Sequence, residues 1–538
     1  MRGQRLFSNT FNTSYSLDMS CFAPSTYFPR STKRFDQGAI PDGPQGQRYA
    51  SSPAMFIVEC PWLTGNSTAP IHTLDDDSIL HIFFLYRPAI LVGDEDDHDF
   101  IFGGRGWDRE GWWYKLAHVC QRWRKLILGS ASHLGLCLVC THGTPVTEML
   151  AHSPHLPLVI DYIDEHQNLR AGDEEEIFLA LEQRSYVSRV RFRMPVPNLQ
   201  QLISAMEEEY PVLEYLIMGC WTRDASTTLI LPQTFQAPHL RHLVLSGFTL
   251  PIGSRLLTTA VGLVTLCLYM NRPSEYFQPN TLLRWISFLP QLETLMVVFL
   301  FPVPNRDVER QLMHTPITTH ITLPNLRWFG FQGISAYLET LVRRITAPRL
   351  ERLIILFFKQ LTFSVPRLLQ FINTTENIRF DSAKFKFSRE QVDVNFYSQE
   401  EAEKHPLSVS IHCWHLDWQV SSVGQIFSSL GQIPSTVEHL TLQHWVHSKS
   451  SEGHNEVDRA EWHKLFEPFN NVKTLRVADG LVGALSLCLR LDDGELPLEL
   501  LPELQELTYS GRDDAGDAFK SFVDARQDAG RPVTLRRD

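Results

Sequence analysis

The sequence predicts an α/β fold in which a small helical module precedes a long repeat array with one parallel strand per repeat. Three observations predict it. A six-residue motif, apolar-x-x-apolar-x-apolar, returns again and again from residue 187 onward. Two amphipathic segments with helix-boundary signals precede the motif, between residues 71 and 128. Hydrophobic residues make up 43% and aromatics 11% of 538 residues, enough to bury a sizeable core and too much for a disordered chain.

Order is expected to begin near Ile71. Residues 1–69 are rich in Ser, Thr, Asn, Gly and Pro without periodicity and read as a disordered N-terminal extension. Met1 to Arg5 precede no apolar block, so no secretory signal is expected. In the stretch from Ile71 to Phe84, Asp75, Asp76 and Asp77 stand where the free N–H groups and dipole of a helix start favour negative charge. Ile79, Ile82, Phe83 and Tyr86 then recur at three- and four-residue steps, giving one apolar stripe. Pro88 stops that helix. An acidic, glycine-rich insertion at 90–111 separates it from a second helix, Trp112 to Leu128, on which Leu116, Val119, Cys120, Trp123, Leu126 and Ile127 share a face. Residues 70–130 therefore read as one helical domain.

Copies of the motif begin at Val187, Leu213, Leu240, Leu263, Leu292, Leu326 and Leu350, and later at Val437, Val472 and Leu504. The first seven are spaced by 26, 27, 23, 29, 34 and 24 residues, the self-similarity of a solenoid. The fourth and sixth residues of a copy, such as Leu266 and Leu268, point to one side of a strand, and only a neighbouring repeat can cover them. Leu263 to Asn271 completes the longer leucine-rich pattern with its Asn, so residues 131–538 read as a leucine-rich-repeat-like domain. Between about 380 and 430 the motif is weak, and Lys384 to Lys404 reads as an inserted polar loop.

Lys and Arg total 49 against 61 Asp and Glu, a net charge of −12, which argues against nucleic acid as a partner because phosphate contacts need excess positive charge. The most apolar run, Leu353 to Phe358, falls far short of the roughly 18 residues that cross a bilayer, so no membrane partner is expected. Nine scattered cysteines do not make a disulfide framework and fit a reduced compartment, cytoplasm or nucleus. Cys137-Leu-Val-Cys140 has the spacing of half a zinc site, but with no second pair nearby it reads as a buried strand. HExxH, Gly-Lys-Ser/Thr and Gly-x-Ser-x-Gly are all lacking, so no catalytic residue, cofactor or metal is expected. Arg189, Arg191 and Arg193 alternate along one predicted strand, on the face opposite its buried ladder. One reading is a site for an acidic or phosphorylated partner; the other is a solvated face that blunts the end of the array.

Leu74-Asp-Asp-Asp-Ser-Ile-Leu-His-Ile-Phe and, after the insertion, Leu116-Ala-His-Val-Cys-Gln-Arg-Trp-Arg-Lys-Leu resemble an F-box, whose common form begins Leu-Pro and ends Val-Cys-x-x-Trp-Arg. The following Leu134-Gly-Leu-Cys-Leu-Val-Cys-Thr-His-Gly, and the later Phe522-Val-Asp-Ala-Arg, are similar to segments of fungal F-box proteins with degenerate leucine-rich repeats. The resemblance implies a non-catalytic substrate-recognition adaptor. Its F-box would bind a Skp-type adaptor protein within a cullin–RING ubiquitin ligase, and its repeats an unknown protein substrate. Leu74, Ile79, Ile82, Phe83, Leu116, Val119, Cys120 and Trp123 are the expected adaptor-binding residues, large apolar anchors of the kind a helix-in-groove contact uses. Asp75 stands where Pro is usual and the insertion is long, which supports a second reading, a repeat-only scaffold whose F-box-like segment no longer docks.

Overall fold

The computed structural model describes residues 73–87, 111–152, 155–163, 171–220, 229–251, 253–301, 320–358, 360, 362–375, 377–401, 404–431, 433–444, 459–489, 500–510 and 517–538. The extension expected over 1–69, and all but the last residue of the 90–111 insertion, lie outside them. The chain divides into two compact units, residues 1–137 and 138–538. Among the described residues no helix is long and apolar enough to cross a membrane.

The first unit contributes helices α1 (Asp76–Tyr86), α2 (Trp113–Ala117), α3 (Gln121–Gly129) and α4 (Ala131–Leu134). The single helix expected over Trp112 to Leu128 is broken in two. Cys120 takes an extended backbone conformation and its sulfur accepts the Trp123 N–H at 3.5 Å, capping α3. Apolar residues at 116, 119, 120 and 123 keep helical spacing through such a break, so periodicity alone does not reveal it.

The second unit is an α/β fold. In chain order its strands are β1 (Leu138–Cys140), β2 (Leu158–Ile163), β3 (Val187–Arg193), β4 (Tyr215–Gly219), β5 (Leu229–Ile230), β6 (His242–Ser246), β7 (Phe248–Thr249), β8 (Thr265–Met270), β9 (Thr294–Phe299) and β10 (Ile321–Thr322). They continue with β11 (Trp328–Gly333), β12 (Ile345–Thr346), β13 (Arg352–Phe357), β14 (Ser382–Phe387), β15 (Gln391–Tyr397), β16 (Leu407–His412), β17 (His439–His444), β18 (Thr474–Val477), β19 (Glu506–Tyr509) and β20 (Thr534–Arg537). Among the described residues sixteen form one sheet in the order β1-β2-β3-β4-β6-β8-β9-β11-β13-β16-β15-β14-β17-β18-β19-β20; β5 with β7 and β10 with β12 make small separate pairs. The sheet is parallel except around β15, which runs antiparallel to both neighbours.

Every copy of the six-residue motif ends in a strand of this sheet. The fourth position of every copy falls in one continuous apolar row, which strands without a copy extend and complete. Cys140, Ile160, Val190, Leu216, Leu243, Leu266, Leu295, Phe329, Leu353 and Leu407 sit side by side in register. Phe396, Ala383, Leu440, Leu475, Leu507 and Leu535 carry the row to the far edge. From Cys140 to Leu507 these side chains are buried, each large aliphatic one worth about 1.5–3 kcal/mol of transfer out of water. The connecting helices complete the core with stripes of their own: Leu282, Leu283 and Ile286 on Pro279–Ile286, and Leu368, Phe371 and Ile372 on Pro366–Asn373. Proline at the start of each costs nothing, because its missing N–H would have had no helical partner.

The expected loop over 384–404 is a hairpin. Ala383, Phe385 and Phe387 alternate with Lys384 and Lys386, and Val392, Val394 and Phe396 with Asp393 and Asn395, so β14 and β15 bury one face and keep polar residues on the other. Asn271 donates its amide to the Cys220 carbonyl (3.3 Å) and the Ser246 hydroxyl (3.2 Å), tying three neighbouring repeats together. Beside it Gly247 has φ 80°, and a Cβ there would stand 2.2 Å from the Cys220 sulfur; only glycine fits. Near the last strands the fully buried Arg526 donates to the carbonyls of Leu501, Pro502 and Leu504 at 3.3, 3.0 and 3.1 Å.

Candidate partner-binding surfaces

In the first unit, α1 begins at Asp75, whose carboxylate accepts the Ser78 N–H at 2.7 Å and its hydroxyl at 3.0 Å. These bonds hold the Asp75 carboxyl below its ordinary range. Asp75 is therefore the helix cap. Arg122 of α3 reaches back to the same end, donating to Asp76 (2.6 and 3.0 Å) and to the Leu74 carbonyl (2.6 Å). Between the helices Phe83 meets Trp123 edge to face, ring centroids 4.9 Å apart. The Trp113 indole donates to the Cys137 carbonyl at 3.0 Å.

This arrangement sorts the eight expected anchors. Ile79 and Phe83 are buried; Leu74, Leu116, Cys120 and Trp123 are half-buried; Ile82 and Val119 are exposed. Three further exposed apolar side chains, Phe84, Leu85 and Tyr86, were not among the anchors read from the sequence. Their signal was present: Ile82-Phe-Phe-Leu-Tyr86 is an unbroken apolar run, which makes a helix apolar on every side rather than along one stripe. Ile82, Leu85 and Tyr86 stand three and four residues apart, so they form a second stripe beside the buried one.

On the sheet, the three alternating arginines do not share one environment. Arg191 lies directly opposite Asp161 in register, donates Nε to it at 2.7 Å and pairs through a second nitrogen; both side chains are almost fully buried. Arg189 and Arg193 are half-buried. Arg189 places its guanidinium 4.8 Å from the centre of the Tyr215 ring, and Tyr215 stacks on His242 at 4.3 Å, with 8° between the planes. His242 Nδ1 lies 3.1 Å from the Thr265 hydroxyl.

Burial, helped by the Arg241 and Arg189 cations, pulls His242 down to about 4. The native state therefore binds no proton there at pH values where the unfolded chain, titrating near 6.5, does. The stabilisation is complete above pH ~6.5 and is lost as pH falls toward about 4. Between pH 7.5 and pH 5 this group is expected to remove about 2 kcal/mol. Urea midpoints at the two pH values test it: His242→Gln should lose less on acidification than the natural chain, and an equal loss would rule out this histidine.

Cys137 and Cys140 are both buried free thiols, and burial pushes Cys140 up to about 12, far from a reactive thiolate. Among the described residues no group of three or more His, Cys, Asp or Glu is arranged to hold a metal. Searches against protein families and against curated proteins find no match to this chain.

Proposed function

We propose that the chain is a non-catalytic substrate-recognition adaptor of a Skp–cullin–F-box ubiquitin ligase. The F-box-like helical unit docks a Skp-type adaptor, and the leucine-rich-repeat-like domain presents a protein substrate in the cytoplasm or nucleus. Its contribution to the reaction is proximity, which raises the local concentration of substrate beside the transferring enzyme. One observation carries the reading: α1 spends Ile79 and Phe83 on its own core and still presents Ile82, Leu85 and Tyr86 to solvent, with Val119 exposed at the α2–α3 turn. Exposed apolar side chains gathered on a small element are the signature of a protein-binding surface.

The test is binding of the purified intact chain to a purified Skp-type adaptor. Ile82→Ala combined with Leu85→Ala is expected to weaken it at least tenfold, about 1.4 kcal/mol, with the melting temperature unchanged. These residues are preferable to Phe83, whose loss would unfold the unit. If the intact chain does not bind, the scaffold reading replaces this one.

A further inference from the structure

Two successive residues of α3 hold α1. Arg122 donates Nε and Nη2 to one carboxylate oxygen of Asp76 at 3.0 and 2.6 Å, and Nη2 also reaches the Leu74 carbonyl at 2.6 Å. Trp123 meets Phe83 edge to face. Asp76 and Phe83 are two helical turns apart, so they share one side of α1 and stand roughly 10 Å apart along its axis. The base of this grip is itself fixed. The Cys120 sulfur caps α3, and Arg124 donates Nε to the Ala117 carbonyl of α2 at 3.1 Å.

The two holds differ in kind. Toward its carboxyl end α1 is held by rings: Phe83 on Trp123, Phe84 on His133 (centroids 5.9 Å apart, 26° between planes) and Tyr86 beside Trp112 (6.3 Å). Apolar contact is non-directional and leaves the rotation of a helix about its axis loosely set. Hydrogen bonds from one planar guanidinium to a carboxylate and a backbone carbonyl are directional and select one orientation. The Arg122 and Asp76 side chains are 36% and 59% exposed, and a solvated ion pair adds little to stability. Its consequence is geometric. Ile82, Leu85 and Tyr86 follow Asp76 on the same short helix, so the bonds at its amino-terminal end set the direction in which these exposed side chains point.

We propose that Arg122 is a positioning residue for adaptor docking: through Asp76 and Leu74 it sets the rotation of α1 at which Ile82, Leu85 and Tyr86 meet the partner together. This inference rests on the adaptor reading of the helical unit. Fixing the surface before the encounter raises affinity, because the apparent dissociation constant is the intrinsic one divided by the fraction of chains in the competent pose. Arg122 and Asp76 need not touch the partner.

Calorimetry of the full chain with a purified Skp-type adaptor tests this. Arg122→Ala and Asp76→Ala are each expected to weaken binding about fivefold, as much as one solvated pair supplies, with the melting temperature unchanged. The double variant should bind no more weakly than either single one, because both remove the same tie. Arg122→Lys should regain part of the loss, since it keeps the charge without the fork. Raised salt should weaken binding by the natural chain and leave Arg122→Ala unaffected. Losses that add in the double variant would overturn the proposal, since the two side chains would then contact the partner separately. A lowered melting temperature for Arg122→Ala would overturn it in favour of a folding role. Full-strength binding by Arg122→Ala would overturn it while leaving the adaptor reading in place, whereas no binding by the natural chain would remove both.

Discussion

Replacing Asp161 by Ala is expected to destabilise the start of the sheet by about 3–5 kcal/mol. Asp161 and Arg191 face each other across β2 and β3 with side chains 5% and 3% exposed. A guanidinium does not neutralise itself by losing a proton, so without its partner it remains a charge out of water. Pairing repays desolvation here through two parallel N–H···O contacts. The same reasoning predicts recovery when both charges go: Asp161→Leu with Arg191→Met should restore most of the loss, because apolar side chains of similar volume need no counter-charge. Urea denaturation, with amide exchange followed in β2 and β3, measures both effects. A cost below about 1 kcal/mol for Asp161→Ala would mean that the pair behaves as a solvated surface bridge. The pair also changes how a partner role for this strand is tested: reversing Arg189, Arg191 and Arg193 together would report on folding, so Arg189 and Arg193 are the positions to change.

The sheet was legible because its determinants are local and repeated. Leu216, Leu243, Leu266 and Leu295 occupy equivalent positions in short motifs, and each is fully buried in one register row. Where a strand is made by pairing rather than by the motif, the sequence was less informative. Lys384 and Lys386 gave the hairpin the look of a loop, because charge on one face outweighed the alternation of Ala383, Phe385 and Phe387 on the other. Arg191 looked like Arg189 and Arg193, because its fate was set by Asp161, 30 residues away in the chain. In the helical unit, spacing placed the apolar residues on helices without saying which face turns inward. That depends on where Trp123 meets Phe83, a contact across 40 residues of sequence.

The division between inner and outer faces makes a second large prediction. Phe83→Ala is expected to cost about 3–5 kcal/mol, because the ring is almost fully buried and its removal leaves a cavity beside Trp123 that a small unit has few side chains to fill. Ile82, one residue earlier and 43% exposed, should cost within about 0.5 kcal/mol when truncated. Amide exchange in the intact chain separates them: in Phe83→Ala, protection across α1 and α3 should fall by about a hundredfold or more, while in Ile82→Ala it should stay as it was. Under the proposed adaptor role both substitutions would weaken docking, the first by melting the unit and the second by removing a contact. If Phe83→Ala left exchange unchanged, the ring would not be holding α1 on α3. The apolar run Ile82 to Tyr86 would then need another explanation than one face for the core and one for a partner.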